Sequence, residues 1–150
     1  AGVPHRAELV RVCGGVSYYN DSIATSPTRT IQGTLSMYPQ KILLIAGGYD
    51  KHIPYDAIGP AILEKAKALI LLGDTAEAIQ AAVENAPGYR PGILPIVRVS
   101  SMEEAVQAAR SLAKEGDIVS LSPASASFDR YPNFEARGNH FKELVQQIQA

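Results

Sequence analysis

Asp117-Ile118-Val119-Ser120-Leu121 leads without a break into Ser122-Pro123-Ala124-Ser125-Ala126-Ser127-Phe128-Asp129. The first part is an apolar run that reads as a buried strand. The second is a loop of short donors and acceptors, and Asn133-Phe134-Glu135-Ala136-Arg137-Gly138-Asn139 then opens the last helix. In open α/β sheets, ligands sit just past the carboxyl ends of strands. A loop rich in serine at such a place is a candidate site; taken alone it is equally a Ser/Pro turn with nothing bound.

The rest of the chain supplies the sheet into which this strand fits. Residues 41–46 (Lys-Ile-Leu-Leu-Ile-Ala) are apolar on both faces, as a central parallel strand should be. Residues 68–72 repeat that pattern, and residues 95–99 form a further strand. Two alternating runs, 7–12 and 16–20, flank Gly14-Gly15 and predict a hairpin. Ser26-Pro27 is an N-cap and N1 pair for a helix carrying Ile31, Leu35 and Tyr38, which Pro39 stops. A short helix is expected from Gly59-Pro60 to about Lys67. Another follows Gly73-Asp74-Thr75 with Ala76, Ile79 and Val83 on one face. Ser101-Met102-Glu103-Glu104 is a capping box whose helix buries Met102, Ala105, Val106, Ala109 and Leu112 and ends at Gly116. Phe141, Leu144, Val145 and Ile148 mark the last helix. Six strands and about five helices, alternating after the hairpin, predict an α/β, Rossmann-like, mostly parallel six-stranded sheet with one antiparallel strand. Right-handed crossovers then gather the loops 20–25, 47–52, 73–75, 100–101 and 122–129 on one edge.

Bulk properties set bounds. The 150 residues are enough for a single domain with a sizeable core, at 46% hydrophobic and 19% charged. A net charge of −1 offers no electrostatic case for nucleic acid or an anionic membrane. Cys13 is the lone cysteine, so neither a disulfide framework nor a cysteine zinc site is available, and a cytosolic setting is expected. No run approaches the ~18 apolar residues of a membrane span. No signal peptide is expected ahead of the fold, and Ala1-Gly2-Val3-Pro4 reads as the tail of a linker, as in one domain of a longer chain.

Several residues invite chemistry. Lys51, in Gly47-Gly48-Tyr49-Asp50-Lys51, could hold a carboxylate or phosphate as a compact cation, or be a solvated loop lysine. Arg6, next to His5, could reach a phosphate or simply face solvent. Asp21 could accept from a ribose or an ammonium group, or cap a turn. Thr25 and Ser26 fit a helix start. His52 and His140 have no acidic or cysteine cluster beside them in the sequence, which disfavours a metal role. Cys13 on the edge hairpin fits packing, and Tyr18, Tyr19 and Tyr38 fit core or rim positions. The serines lack a G-x-S-x-G elbow, which disfavours serine hydrolysis. Neither G-x-x-x-x-G-K-[ST] nor G-x-G-x-x-G occurs, so the chain lacks a self-contained nucleotide phosphate cradle.

Four stretches, in order along the chain, resemble the C-terminal domain of the Mur ligases, the D-glutamate-adding branch in particular. They are Pro4-His5-Arg6; Tyr19-Asn20-Asp21-Ser22-Ile23-Ala24-Thr25; Ala46-Gly47-Gly48-Tyr49-Asp50-Lys51; and the opening stretch continued to Gly138. The family's domain is Rossmann-like with one antiparallel strand. The resemblance implies an ATP- and Mg²⁺-dependent ligase of cell-wall peptidoglycan synthesis. In it the carboxylate of UDP-N-acetylmuramoyl-L-alanine is phosphorylated and then joined to D-glutamate. This chain would be the third domain of a cytoplasmic bacterial enzyme, with ATP and Mg²⁺ held mainly by the central one. It implies that Thr25, Lys51, Ser127 and the Phe134 amide hold D-glutamate. Arg6 and Asp21 match positions on the ATP side, Arg6 toward the terminal phosphate and Asp21 toward the ribose and the domain junction.

Ile23 stands where some members carry lysine, which removes a charged contact. Ser125 replaces a common cysteine, and Phe128 another large side chain. Two alternatives remain open at this point. One is another Mur ligase or folylpolyglutamate synthase-type domain with a different amino acid; the other is a non-enzymatic Rossmann-like binding module.

Overall fold

The computed structural model describes residues 3–128 and 130–149. The linker residues Ala1 and Gly2 and the aspartate that closes the opening stretch, Asp129, lie outside the described residues. The hairpin forms as β1 (Glu8–Cys13) and β2 (Val16–Asn20), antiparallel. Gly14 and Gly15 both have positive φ, 60° and 77°, as a tight two-residue turn demands. Cys13 is packed into the core.

β3 (Ile42–Ala46), β4 (Ala66–Leu71) and β5 (Ile96–Arg98) follow, and β6 (Ile118–Leu121) completes the sheet. The order is β1-β2-β6-β3-β4-β5, so the last strand is inserted between β2 and β3, parallel to both. Every residue of β3 is at most 1% exposed. Burying each of its leucines and isoleucines is worth about 1.5–3 kcal/mol.

The helices divide between the two faces. α1 (Pro27–Gln32), α2 (Thr34–Met37), α3 (Ile58–Lys65) and α4 (Ala76–Glu84) lie on one side. There Leu35, Ile58, Ile62, Ile79 and Val83 meet Ile42, Leu44 and Leu71. α5 (Met102–Leu112) and α6 (Phe134–Gln146) cover the other, where Met102, Val106, Phe141 and Val145 meet Leu43, Ile45, Ile70 and Val119. Alternate residues of each strand thus feed two separate cores.

Strand ends shift by a residue or two, and three helices also differ from the sequence expectation. The helix after Pro27 is two pieces broken at Gly33, so six helical segments are described where the pattern suggested five. At the break, a Cβ on Gly33 would stand 2.9 Å from the Arg29 carbonyl and 3.3 Å from Asp21 Oδ2. Thr34, the first residue of α2, donates to that same carboxylate at 2.9 Å. α3 ends at Lys65 and β4 begins at Ala66 with no loop between, two residues earlier than expected. α5 ends at Leu112, and Gly116, with φ of 93°, instead makes the turn into β6. The start of α5 is as expected, with Ser101 Oγ accepting from Glu104 N at 3.1 Å. The Glu104 carboxylate reaches one residue further back than a capping box requires, accepting from Ser100 N at 2.8 Å.

α3 and α4 touch through Gly59, where an added Cβ would fall 2.0 Å from the backbone oxygen of Ala82. Gly59→Ala therefore forces the two helices apart and is expected to lower stability by about 1–3 kcal/mol. The check is the urea midpoint, which should fall with little change in the slope.

Candidate functional site

β2, β6 and β3 are adjacent and parallel, so the loops that leave their carboxyl ends start side by side. Backbone bonds tie them together. Gly47 N donates to Pro123 O at 2.9 Å, Tyr49 N to Ala126 O at 2.8 Å, and Ala124 N to Ala24 O at 2.9 Å. The turn after β4 joins through Thr75, whose N–H donates to Gly48 O at 3.1 Å and whose Oγ1 accepts from Gly48 N at 3.0 Å. Ser125 Oγ completes the knot, 2.8 Å from Thr75 Oγ1 and 2.9 Å from Tyr55 OH. The loop at Ser100 joins from the side, its carbonyl accepting from the Arg130 guanidinium. All five loops expected at this edge are therefore connected.

Two residues that the sequence reading assigned no role hold this edge in place. Arg137, on α6, is 3% exposed. Its Nε donates to Ser22 Oγ, Nη2 to Ser22 O and Nη1 to Ser125 O, at 2.9, 2.9 and 3.0 Å. One guanidinium thus locks the β2 and β6 loops to α6, as its rigid fork allows. Asn20 is fully buried; it meets His5 Nδ1 at 2.9 Å and accepts from Ser22 N at 3.1 Å. Both lie inside quoted motifs, but burial is a tertiary property and their sequence neighbourhood did not announce it.

A cleft of about 290 Å³ opens on this edge, lined by Thr25, Lys51, Ser127 and Phe134 with Phe128 and Glu135. The four residues expected to hold an amino acid come from three loops and one helix, yet share one cavity. Asp50 Oδ1 accepts from His52 N at 2.7 Å, and His52 has φ of 60°. That side-chain-closed turn presents Lys51 at its apex, exposed. Phe134 is the first residue of α6. Asn133 caps it, its Oδ1 accepting from Ala136 N at 2.8 Å. The first-turn amides of Phe134 and Glu135 have no partner within the helix, and the helix dipole is positive at this end. The Phe134 carbonyl accepts from Ser22 Oγ at 2.8 Å, and its ring stands edge-on to His5. Lysine, hydroxyl and helix N-terminus together favour a carboxylate, with Glu135 the opposing charge on the rim.

Arg6 and Asp21 share a second cleft, of about 190 Å³, with Ile23, Arg29 and Gln32. Arg29, which lies on α1, is a second cation that the sequence reading passed over. Ile23, read as a lost charge on the amino-acid side, faces this second cleft rather than the one with Lys51. Asp21 is 4% exposed and accepts from Ala7 N at 3.2 Å, Thr34 Oγ1 at 2.9 Å and Ser122 Oγ at 2.8 Å. It holds the wall of the cleft, and one lone-pair site on Oδ1 is left for a further donor. Burial pushes its carboxyl above the usual range, against the hydrogen bonds from Ser122, Thr34 and Ala7 and the charge of Arg6.

The two histidines do have carboxylate neighbours, Asp50 at 3.6 Å from His52 and Glu103 at 3.4 Å from His140. Among the described residues, no group of three or more His, Cys, Asp or Glu side chains is arranged to hold a metal. No described helix is long and apolar enough to cross a membrane.

Fold and clefts together define an α/β domain with two clefts on one edge of its sheet. Residues 5–125 match the family described as Mur ligase, glutamate ligase domain, and the chain belongs to that family. It is similar to UDP-N-acetylmuramoylalanine–D-glutamate ligase of Acetivibrio thermocellus, 56% identical across 99% of this chain and 32% of that protein. The chain thus spans about a third of that relative's length. The murein peptide ligase of Psychrobacter arcticus shares the fold at a TM-score of 0.63 and 19% identity, over 100% of this chain and 32% of that one. The MurF ligase of Thermotoga maritima, solved with ADP, does so at 0.62 and 18%, over 98% and 33%.

The raised carboxyl of Asp21 has a pH signature. The folded chain holds this proton more tightly than the unfolded one, so the group's contribution to stability falls as pH rises from the ordinary carboxylate range through the raised value. Asp21→Asn lacks that slope. Its urea midpoint, compared with that of the parent chain, is expected to gain steadily from acid toward neutral pH.

Proposed function

We propose that the chain is the C-terminal domain of a cytoplasmic UDP-N-acetylmuramoyl-L-alanine:D-glutamate ligase, acting in bacterial cell-wall peptidoglycan synthesis. The observation that carries this reading is the convergence of Thr25, Lys51, Ser127 and Phe134 on one cleft beside a helix N-terminus. D-glutamate presents two carboxylates. Lys51 neutralises one as a point charge, and the hydroxyls of Thr25 and Ser127 and the amide of Phe134 orient them. The high identity to a protein named for D-glutamate favours this amino acid over those of other branches.

The reaction divides between domains. ATP phosphorylates the L-alanyl carboxylate on the central domain of the longer polypeptide, which would also hold Mg²⁺. The D-glutamate nitrogen then attacks the acyl carbon. A C–N bond forms, the tetrahedral intermediate expels phosphate, and an amide remains. This domain holds the amine in line for attack, which converts a bimolecular encounter into a positioned one. Arg6 and Arg29 line the second cleft, where cations suit the terminal phosphate of ATP when the domains close. Asp21 there supplies the remaining acceptor toward the ribose.

The separate domain is expected to bind D-glutamate weakly and to release no phosphate from ATP. NMR titration with D-glutamate, L-glutamate, L-lysine and meso-diaminopimelate tests the choice of amino acid; a stronger response to any of the last three moves the chain to another branch. Steady ATP turnover by the 150-residue chain would contradict the division of labour.

In the complete ligase, Lys51→Ala removes a contact to a carboxylate worth about 1.5–3 kcal/mol, so the Michaelis constant for D-glutamate should rise roughly 10- to 100-fold. That for ATP should stay near its original value. Steady-state kinetics with each substrate varied in turn is the check, and an unchanged D-glutamate constant counts against the site.

A further inference from the structure

Ser127 and Phe134 both line the amino-acid cleft and are joined by a short segment of chain. The loop before Ser127 is buried and bonded to its neighbours at nearly every residue. The described residues after it are more exposed, and the Arg130 guanidinium is bonded to the Ser100 carbonyl. Phe128 is 64% exposed, and Arg130, Pro132 and Asn133 are exposed as well. A segment with so little buried apolar surface takes its shape from polar contacts.

Those contacts are specific. The Ser127 carbonyl accepts from the N–H groups of Arg130 and Tyr131, at 3.1 and 2.9 Å, closing a turn directly onto a cleft residue. Tyr131 then leans on α6. Its hydroxyl is 2.6 Å from His140 Nδ1, and the two rings are 5.6 Å apart. His140 Nε2 lies 3.4 Å from Glu103 in the first turn of α5. Each ring nitrogen of His140 thus faces one partner, the phenol at Nδ1 and the carboxylate at Nε2. None of Tyr131, His140 and Glu103 lines the cleft.

We propose that Tyr131, His140 and Glu103 form a positioning chain that sets the span between Ser127 and the Phe134 amide, and through it the affinity for a dicarboxylic amino acid. The proposal rests on the reading of this cleft as the D-glutamate site. α5 and α6 act as the fixed frame, since both are packed on the sheet through Met102, Val106, Phe141 and Val145. The chain transmits that frame to the exposed half of the loop. It touches neither substrate nor reacting atoms.

The test is steady-state kinetics on the complete ligase. Tyr131→Phe removes one oxygen and His140→Leu removes its ring partner. Each is expected to raise the Michaelis constant for D-glutamate by roughly 2- to 10-fold, the range for one hydrogen bond. The turnover number at saturating D-glutamate and the constant for ATP should stay unchanged. His140→Asn, which keeps an oxygen acceptor near the place of Nδ1, should restore most of the loss. The Tyr131→Phe/His140→Leu double variant should be no worse than the worse single variant, because both cut the same link. An unchanged D-glutamate constant in Tyr131→Phe overturns the proposal. So does an equal rise in both Michaelis constants, since that makes the chain merely structural. Lys51→Ala run alongside separates the two readings. If it weakens D-glutamate binding and Tyr131→Phe does not, the positioning chain alone fails. If neither does, the assignment of the cleft fails, and the proposal with it.

Discussion

β6 enters the sheet last and takes the slot between β2 and β3, hydrogen-bonded in parallel to both. Three carboxyl ends are thereby brought to neighbouring positions although their residues lie up to about a hundred places apart along the chain. The cost is entropic, because β2 and β3 must leave a gap that only the distant β6 can fill. What repays it is burial on both faces: Val119 and Leu121 are at most 1% exposed. Remove β6 and the loops bearing Thr25 and Lys51 have nothing between them.

Polar groups convert that proximity into a rigid edge. Asp21 joins the segment before β1 to α2 and to the β6 loop. Arg137 joins the β2 and β6 loops to α6, while Thr75, Tyr55 and Ser125 join the β3, β4 and β6 loops. Buried polar networks of this kind are stabilising only when their members are satisfied. Here they hold in place the loops around the clefts. The cations Arg6 and Lys51 stay exposed, where they keep their charge at little desolvation cost. Buried groups build the site and exposed ones carry its charge.

The two clefts lie on either side of the β2 loop, which contributes Thr25 to one and Asp21, Ile23 and Ala24 to the other. A ligand in one cleft thus shares a wall with a ligand in the other. That wall is pinned by Asp21 and Ser22, both buried. Under the function proposed above, a common rigid wall between the two clefts is a direct way to keep an amine aligned with an acyl phosphate.

Much of this was legible in the order of residues. Six apolar runs, the Gly14-Gly15 turn and the caps at Ser26 and Ser101 specified the strands and most of the helices, because strand and helix periodicities and capping are local properties. The resemblance of four stretches to the Mur ligase C-terminal domain marked Thr25, Lys51, Ser127 and Phe134. Other features needed coordinates. The break at Gly33 involves Asp21, twelve residues away in the loop after β2. The roles of Arg137 and Asn20, the second cation Arg29, the orientation of Ile23 and the Tyr131–His140 link all depend on which distant groups a side chain meets. Spacing along a chain encodes what each segment can form. Which faces are buried, and which loops share a wall, is decided only when β6 closes the sheet, since burial and long-range polar partners are properties of the packed whole.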